Sequence, residues 1–213
     1  MKKYILTIDQ GTTSTRSILF DKKANIVSIS QMEIEQICPH DGWVEHNPSE
    51  IWMKTYQTIE NVIKQSKVSV SEIAGIAITN QRETSILWDK NTGEEIYNAV
   101  VWQSRQSQAI CDKLISDGYE ELILSKTGLV INSYFSGSKI AWMLENVPGA
   151  REKALNNELR FGTIDCFLLS KLTNNEVHAT DYTNASRTML YNIYDLKWDE
   201  ELLKILNIPA SIL

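Results

Sequence analysis

Tyr4-Ile5-Leu6-Thr7-Ile8-Asp9-Gln10-Gly11-Thr12-Thr13-Ser14-Thr15-Arg16-Ser17-Ile18-Leu19-Phe20 is two apolar, β-prone runs parted by a polar turn. A third run, Ile26 to Gln36, ends in clear alternation: Met32 and Ile34 on one side, Glu33 and Glu35 on the other. The links between the runs, 10–15 and 21–25, are too short for a parallel crossover, so three strands joined as antiparallel hairpins are expected. A helix follows. Asn47 suits the N-cap, Pro48 the first helical position, and Glu50 the reciprocal capping acid. Trp52, Tyr56, Ile59 and Ile63 recur at helical spacing and are expected to pack on the sheet. Next, Ile73-Ala74-Gly75-Ile76-Ala77-Ile78-Thr79 has the small, apolar character of a strand buried on both faces of a parallel sheet. Thr84 to Trp88 reads as another strand, turning at Asn91-Thr92-Gly93. Helices are expected over 104–116, 137–146, 164–172 and 199–206. The pattern is α/β with a mixed sheet.

The chain has 213 residues, enough for one α/β domain or one large lobe. Its 43% hydrophobic and 23% charged content excludes wholesale disorder. A net charge of −6 argues against bulk binding to nucleic acid or to an anionic membrane. No apolar run approaches the roughly 20 residues of a spanning helix, so no membrane insertion is expected. Met1-Lys2-Lys3-Tyr4 enters the first strand with no apolar signal core. Cys38, Cys111 and Cys166 are scattered and odd in number, which suits a reducing cytoplasm. His40, His46 and His178 show no metal-ligand spacing.

Three groups of residues could carry chemistry. The first is Asp9 through Arg16: a carboxylate at a strand end, one glycine, four successive hydroxyl residues and an arginine. Hydroxyls, inward N–H groups and a cation are what a phosphate needs, and a carboxylate there can hold Mg²⁺ through water. A polar hairpin satisfying its own backbone has the same composition. The second is Thr79-Asn80-Gln81-Arg82-Glu83-Thr84, at a strand end where open α/β sheets bind ligands. Adjacent Arg and Glu suit a neutral polyol, whose hydroxyls both give and accept hydrogen bonds; an exposed ion pair is the alternative. The third is aromatic: Trp102 and Tyr134 each precede a helix and could floor a polyol's C–H face or simply pack in a core. The polar run from Thr180 to Thr188 is either a site wall or a structural loop.

The stretches DQGTTSTR (9–16), GWVEHNP (42–48), ITNQRETS (78–85), VVWQ (100–103), TGLVINSYFSGSK (127–139) and TDYTNASRTML (180–190) fall in order along the chain. Together they resemble the FGGY carbohydrate kinase family, and within it the members that phosphorylate glycerol rather than a pentulose or gluconate. The resemblance implies an actin-like, ribonuclease-H-like ATPase fold, with residues 1–213 as its N-terminal lobe and a C-terminal lobe absent. It implies ATP-dependent phosphorylation of glycerol to sn-glycerol 3-phosphate by a cytoplasmic enzyme that is a homo-oligomer at full length. Asp9 would support Mg²⁺, and Thr12, Thr13, Ser14 and Arg16 would surround the phosphates of ATP. Arg82 and Glu83 would bond the glycerol hydroxyls, Trp102 would pack on its carbons, and Tyr134 would complete the pocket. The family's general base is an aspartate expected beyond Leu213, so no catalytic residue is assigned here and this lobe alone is expected to turn over poorly. Another sugar kinase of the family, or a non-catalytic actin-like binding domain, are the competing readings.

Overall fold

The computed structural model describes residues 3–213; Met1 and Lys2, where the sequence enters its first strand, lie outside the described residues. The elements run β1 (Tyr4–Gln10), β2 (Ser14–Asp21), β3 (Ile26–Glu33), β4 (Glu45–His46), α1 (Pro48–Ser66), β5 (Ile73–Asn80), β6 (Ile86–Asp89) and β7 (Ala99–Val100). Then come α2 (Gln108–Ser116), α3 (Glu120–Thr127), α4 (Ser136–Asn146), α5 (Ala150–Leu155), β8 (Leu159–Gly162), α6 (Ile164–Leu172) and α7 (Tyr182–Ala185). β9 (Tyr191–Asn192), β10 (Lys197–Trp198) and α8 (Glu200–Ile205) follow. The chain divides into two compact units. One holds the residues up to Gln36 together with His46–Gln81; the other holds Ile37–Glu45 and Arg82–Leu213.

The first unit is a four-stranded sheet in the order β3-β2-β1-β5. β1–β2 and β2–β3 are antiparallel hairpins, as the short links require, and β5 runs parallel to β1. The register sets Asp9 opposite Arg16 across one ladder and opposite Thr79 across the other, so the polar ends of β1 and β5 lie together. Side chains alternate along the strands. Leu6, Ile8, Gln10, Thr15, Ser17 and Leu19 are buried. α1 starts where the capping signals put it: the Asn47 side chain accepts from the N–H of Glu50, with Pro48 opening the helix.

Two expectations for this unit are corrected. α1 does not bury the Trp52–Tyr56–Ile63 stripe; its buried residues are Pro48, Ile51, Thr55, Thr58, Ile59 and Val62. Hydroxyl pairing turns the helix: Thr55 bonds Thr15 at 3.0 Å and Thr58 bonds Ser17 at 2.7 Å, while Trp52 and Tyr56 pack on each other at the flank. β5 is not buried on both faces. It is last in the sheet order, α1 lies over β2 and β3, and Ala74, Gly75, Ile76 and Ala77 are exposed. A small, apolar run has the same composition in both settings; position in the sheet decides between them.

In the second unit β6 pairs antiparallel with β8, and helices surround a core including Leu87, Val100, Cys111, Ile123, Ile140, Met143, Leu144 and Phe161. Helix α6 spans 164–172 as expected. α2 begins at Gln108 rather than Ser104, because Ser104 accepts from the N–H of Val44 and donates to Gln106, locking that segment as a turn. Among the described residues no helix is long and apolar enough to cross a membrane, and no cluster of His, Cys, Asp and Glu could hold a metal ion by itself. The three cysteines form no disulfide.

Candidate functional site

In the first unit the turn between β1 and β2 is built so that its carbonyls are occupied. The Gly11 carbonyl accepts from Gln10 Nε2 at 3.0 Å, that of Thr12 from Gln36 Nε2 at 2.8 Å, and that of Thr13 from the N–H of Ile34 at 2.9 Å. Gly11 itself donates to the Ser14 carbonyl at 2.9 Å, and a Cβ on Gly11 would sit 3.3 Å from that oxygen. Engaged carbonyls are withdrawn from an approaching anion, which leaves hydroxyl and cationic groups to meet it. Thr13 is exposed and Thr12, Ser14, Arg16 and Asp9 half-buried, whereas Thr15, the fourth hydroxyl, is buried against Thr55. Arg16 donates from Nε to Gln31 Oε1 at 2.9 Å and lies 3.7 Å from Asp9 Oδ2, a loose surface pair that costs little to break.

His46 supports this turn from beneath. Its ring is buried, with Gln36 Nε2 at 2.6 Å from Nε2 and Gln81 Nε2 at 3.4 Å from Nδ1. Gln81 also reaches the Gly11 carbonyl at 3.4 Å. Burial pushes the His46 pKa down to about 4, against a weaker opposing influence from Glu50, so the imidazole is neutral near pH 7. His46 has no metal-ligand spacing in the sequence, and its burial between Gln36 and Gln81 has no signature there.

In the second unit Glu83, Trp102 and Tyr134 are gathered around a residue that sequence reading left undecided. The Glu83 carboxylate, only 4% exposed, accepts from Arg187 Nε at 2.6 Å. The Arg187 guanidinium also lies over the rings of Tyr134 and Phe135, 5.7 and 4.9 Å from their centroids. Trp102 and Tyr134 meet edge to face at 5.3 Å. The polar run 180–188 has both characters: Asp181 caps it internally through Thr183 and Asn184, while its end brings Arg187 to the cluster and is tied to α4 by the N–H of Gly137 bonding the Thr188 carbonyl at 2.7 Å. A Cβ on Gly137 would meet that oxygen at 2.7 Å, so the approach requires glycine. Arg82 is exposed and makes no ion pair among the described residues. One buried carboxylate, two aromatic faces and an exposed guanidinium can grip a small neutral ligand rich in hydroxyls.

A mixed β3-β2-β1-β5 sheet with its first three strands linked as hairpins is the architecture of the actin-like ATPases, the class to which the sugar kinases similar to this structure belong. Residues 4–213 match the N-terminal domain of the FGGY family of carbohydrate kinases, and the chain belongs to that family. It is 58% identical over its whole length to a protein named glycerol kinase from Petrotoga mobilis and 57% identical to one from Bacillus subtilis. The chain spans 43% of the length of each of these relatives. Its structure is similar to that of Plasmodium falciparum glycerol kinase with ADP, with a TM-score of 0.90 and 38% identity over 97% of this chain and 41% of that one. A gluconate kinase from Lactobacillus acidophilus superposes at a TM-score of 0.85 with 25% identity, covering all of this chain and 41% of that one.

Proposed function

We propose that this chain is the N-terminal lobe of a cytoplasmic glycerol kinase, which transfers the γ-phosphoryl group of ATP to a terminal hydroxyl of glycerol, giving sn-glycerol 3-phosphate and ADP. The observation that carries the reading is an overall identity of 57–58% to proteins named glycerol kinase across the whole length of this chain.

Arg82 and Glu83 bond the glycerol hydroxyls, one as donor and one as acceptor, while Trp102 and Tyr134 cover the carbon chain. Fixing all three carbons orients one terminal oxygen towards phosphorus, and orientation is a large part of phosphoryl transfer. A ligand lacking a hydroxyl would leave Glu83 or Arg82 unpaired, which gives discrimination. Thr12, Thr13, Ser14 and Arg16 donate to the phosphate oxygens of ATP. Asp9, one half-exposed carboxylate, fits Mg²⁺ held chiefly by phosphate and water. When bound, that ion would neutralise charge on the phosphate oxygens. We assign the general base to no residue of this chain.

A substrate panel on the complete gene product tests the reading. Glycerol is expected to be phosphorylated with higher kcat/KM than xylulose or gluconate; the opposite ranking overturns it. Arg82→Ala should raise the glycerol KM by about 10-fold or more, as loss of a charged hydrogen bond implies. Thr12→Ala should act mainly on kcat.

A further inference from the structure

We propose that Lys139 is a positioning residue for the polyol cluster: its amine pins the main-chain carbonyls of Tyr134 and Phe135 and so fixes the Tyr134 ring against Trp102, beside the Glu83 carboxylate. The proposal rests on the polyol reading above and deepens it.

Lys139 sits in the first turns of α4, and its side chain runs back towards the helix start, as helical side chains do. It is 0% exposed. A lysine is almost never buried to that extent without a carboxylate partner, yet Lys139 makes no ion pair among the described residues. Its Nζ donates instead to the Tyr134 carbonyl at 2.5 Å and to the Phe135 carbonyl at 3.0 Å. The location is doubly unfavourable for a cation, being dry and at the positive end of a helix. Burial pushes its pKa down to about 7, and Glu83 is the main influence opposing that fall, with Cys111 a lesser one. Its helical neighbours Ile140, Ala141, Met143 and Leu144 are all buried and apolar, so packing alone would be met by methionine.

What the amine supplies is the shape of the 132–135 turn. Tyr134 is anchored at its N–H by Asn132 Oδ1 at 2.8 Å and at its carbonyl by Lys139. The ring between those anchors touches Trp102 at 5.3 Å and Phe135 at 5.2 Å. Glu83, beside this turn, is gripped by Arg187 at 2.6 Å. Arg187 thus holds the Glu83 carboxylate and covers the Tyr134 ring, while Lys139 holds the backbone of Tyr134 and Phe135.

The test compares Lys139→Met, Lys139→Gln, Tyr134→Ala and the Lys139→Met/Tyr134→Ala pair in the complete gene product, with KM for glycerol, KM for MgATP, kcat and thermal midpoint measured for each. Lys139→Met should raise the glycerol KM by about 10-fold while the MgATP KM stays within about twofold. Lys139→Gln, whose amide can still serve one carbonyl, should recover part of that loss, and it carries the comparison should Lys139→Met fail to fold. In the Tyr134→Ala background Lys139→Met should add little, because its effect passes through Tyr134. Unchanged glycerol KM in the folded variants, parallel shifts of both KM values, or additive effects in the double variant would each overturn the proposal. A parent protein that phosphorylates xylulose or gluconate in place of glycerol would sink the glycerol reading alone, and Lys139 is then judged on the sugar used. A parent that phosphorylates none of them sinks both.

Discussion

Glu83 owes its setting to one partner. Its carboxylate is nearly dry, and Arg187 Nε at 2.6 Å is the cation that compensates. Removing one member of a buried pair leaves the other charge uncompensated, at a cost of about 3–5 kcal/mol when both are fully buried. Arg187 is 26% exposed, so solvent offsets part of that penalty and a smaller loss, about 1–2 kcal/mol, is expected for Arg187→Met in urea unfolding. The same variant should raise the glycerol KM, since both Glu83 and the Tyr134 face lose their contact. An Arg187→Met protein with wild-type stability and glycerol KM would remove Arg187 from the cluster. Glu83, Trp102 and Tyr134 were legible in the sequence as types suited to a polyol. Arg187 was not, because its partner lies 104 residues away and nothing in a polar run tells which member will fold inward.

At the scale of elements, α1 and the sheet are joined by hydroxyls as well as by hydrocarbon. Thr55 bonds Thr15 at 3.0 Å and Gln10 Oε1 at 3.2 Å in a buried setting. Thr55→Val keeps the shape and leaves two buried groups short of a partner, so a loss of about 1–3 kcal/mol is expected, read as a lower urea midpoint with unchanged slope. Equal midpoints would mean that the two groups find other partners. His46, between the segments that follow β3 and β5, gives the unit a dependence on pH. Its pKa falls from 6.5 to about 4 on folding, so the unfolded chain takes up the proton first as pH drops. Stability is then full above about pH 6.5 and declines towards pH 4, by up to about 3 kcal/mol. His46→Gln should flatten the profile in that window, and an undiminished slope would contradict the assignment. The capping signals made the start of α1 readable to the residue, and hairpin-length links made the three antiparallel strands readable. The face of α1 was misjudged because threonine at helical spacing does not advertise burial, and β5 because its composition is silent about sheet order.

At the scale of the molecule, the hydroxyl turn falls on one compact unit and the polar-aromatic cluster on the other. Hydrogen exchange should resolve them. In the complete gene product MgADP is expected to slow amides in 9–16 and glycerol those in 83–103 and 132–138. Protection of the same segments by both ligands taken singly would show that the assignment by unit is wrong.

The segment Ile37–Glu45 belongs to the second unit although it lies within the sequence of the first. Glu45 accepts from Tyr97 and Asn98, the N–H of Val44 donates to Ser104, and the Gly42 carbonyl accepts from the N–H of Arg105. During translation those partners emerge roughly 60 residues after the segment does, which at about 5–20 residues per second is a delay on the order of 3–12 s. Through that interval a nascent hairpin meander would trail an unfinished loop bearing Ile37, Trp43 and Val44 at the ribosome exit, a natural target for chaperone capture.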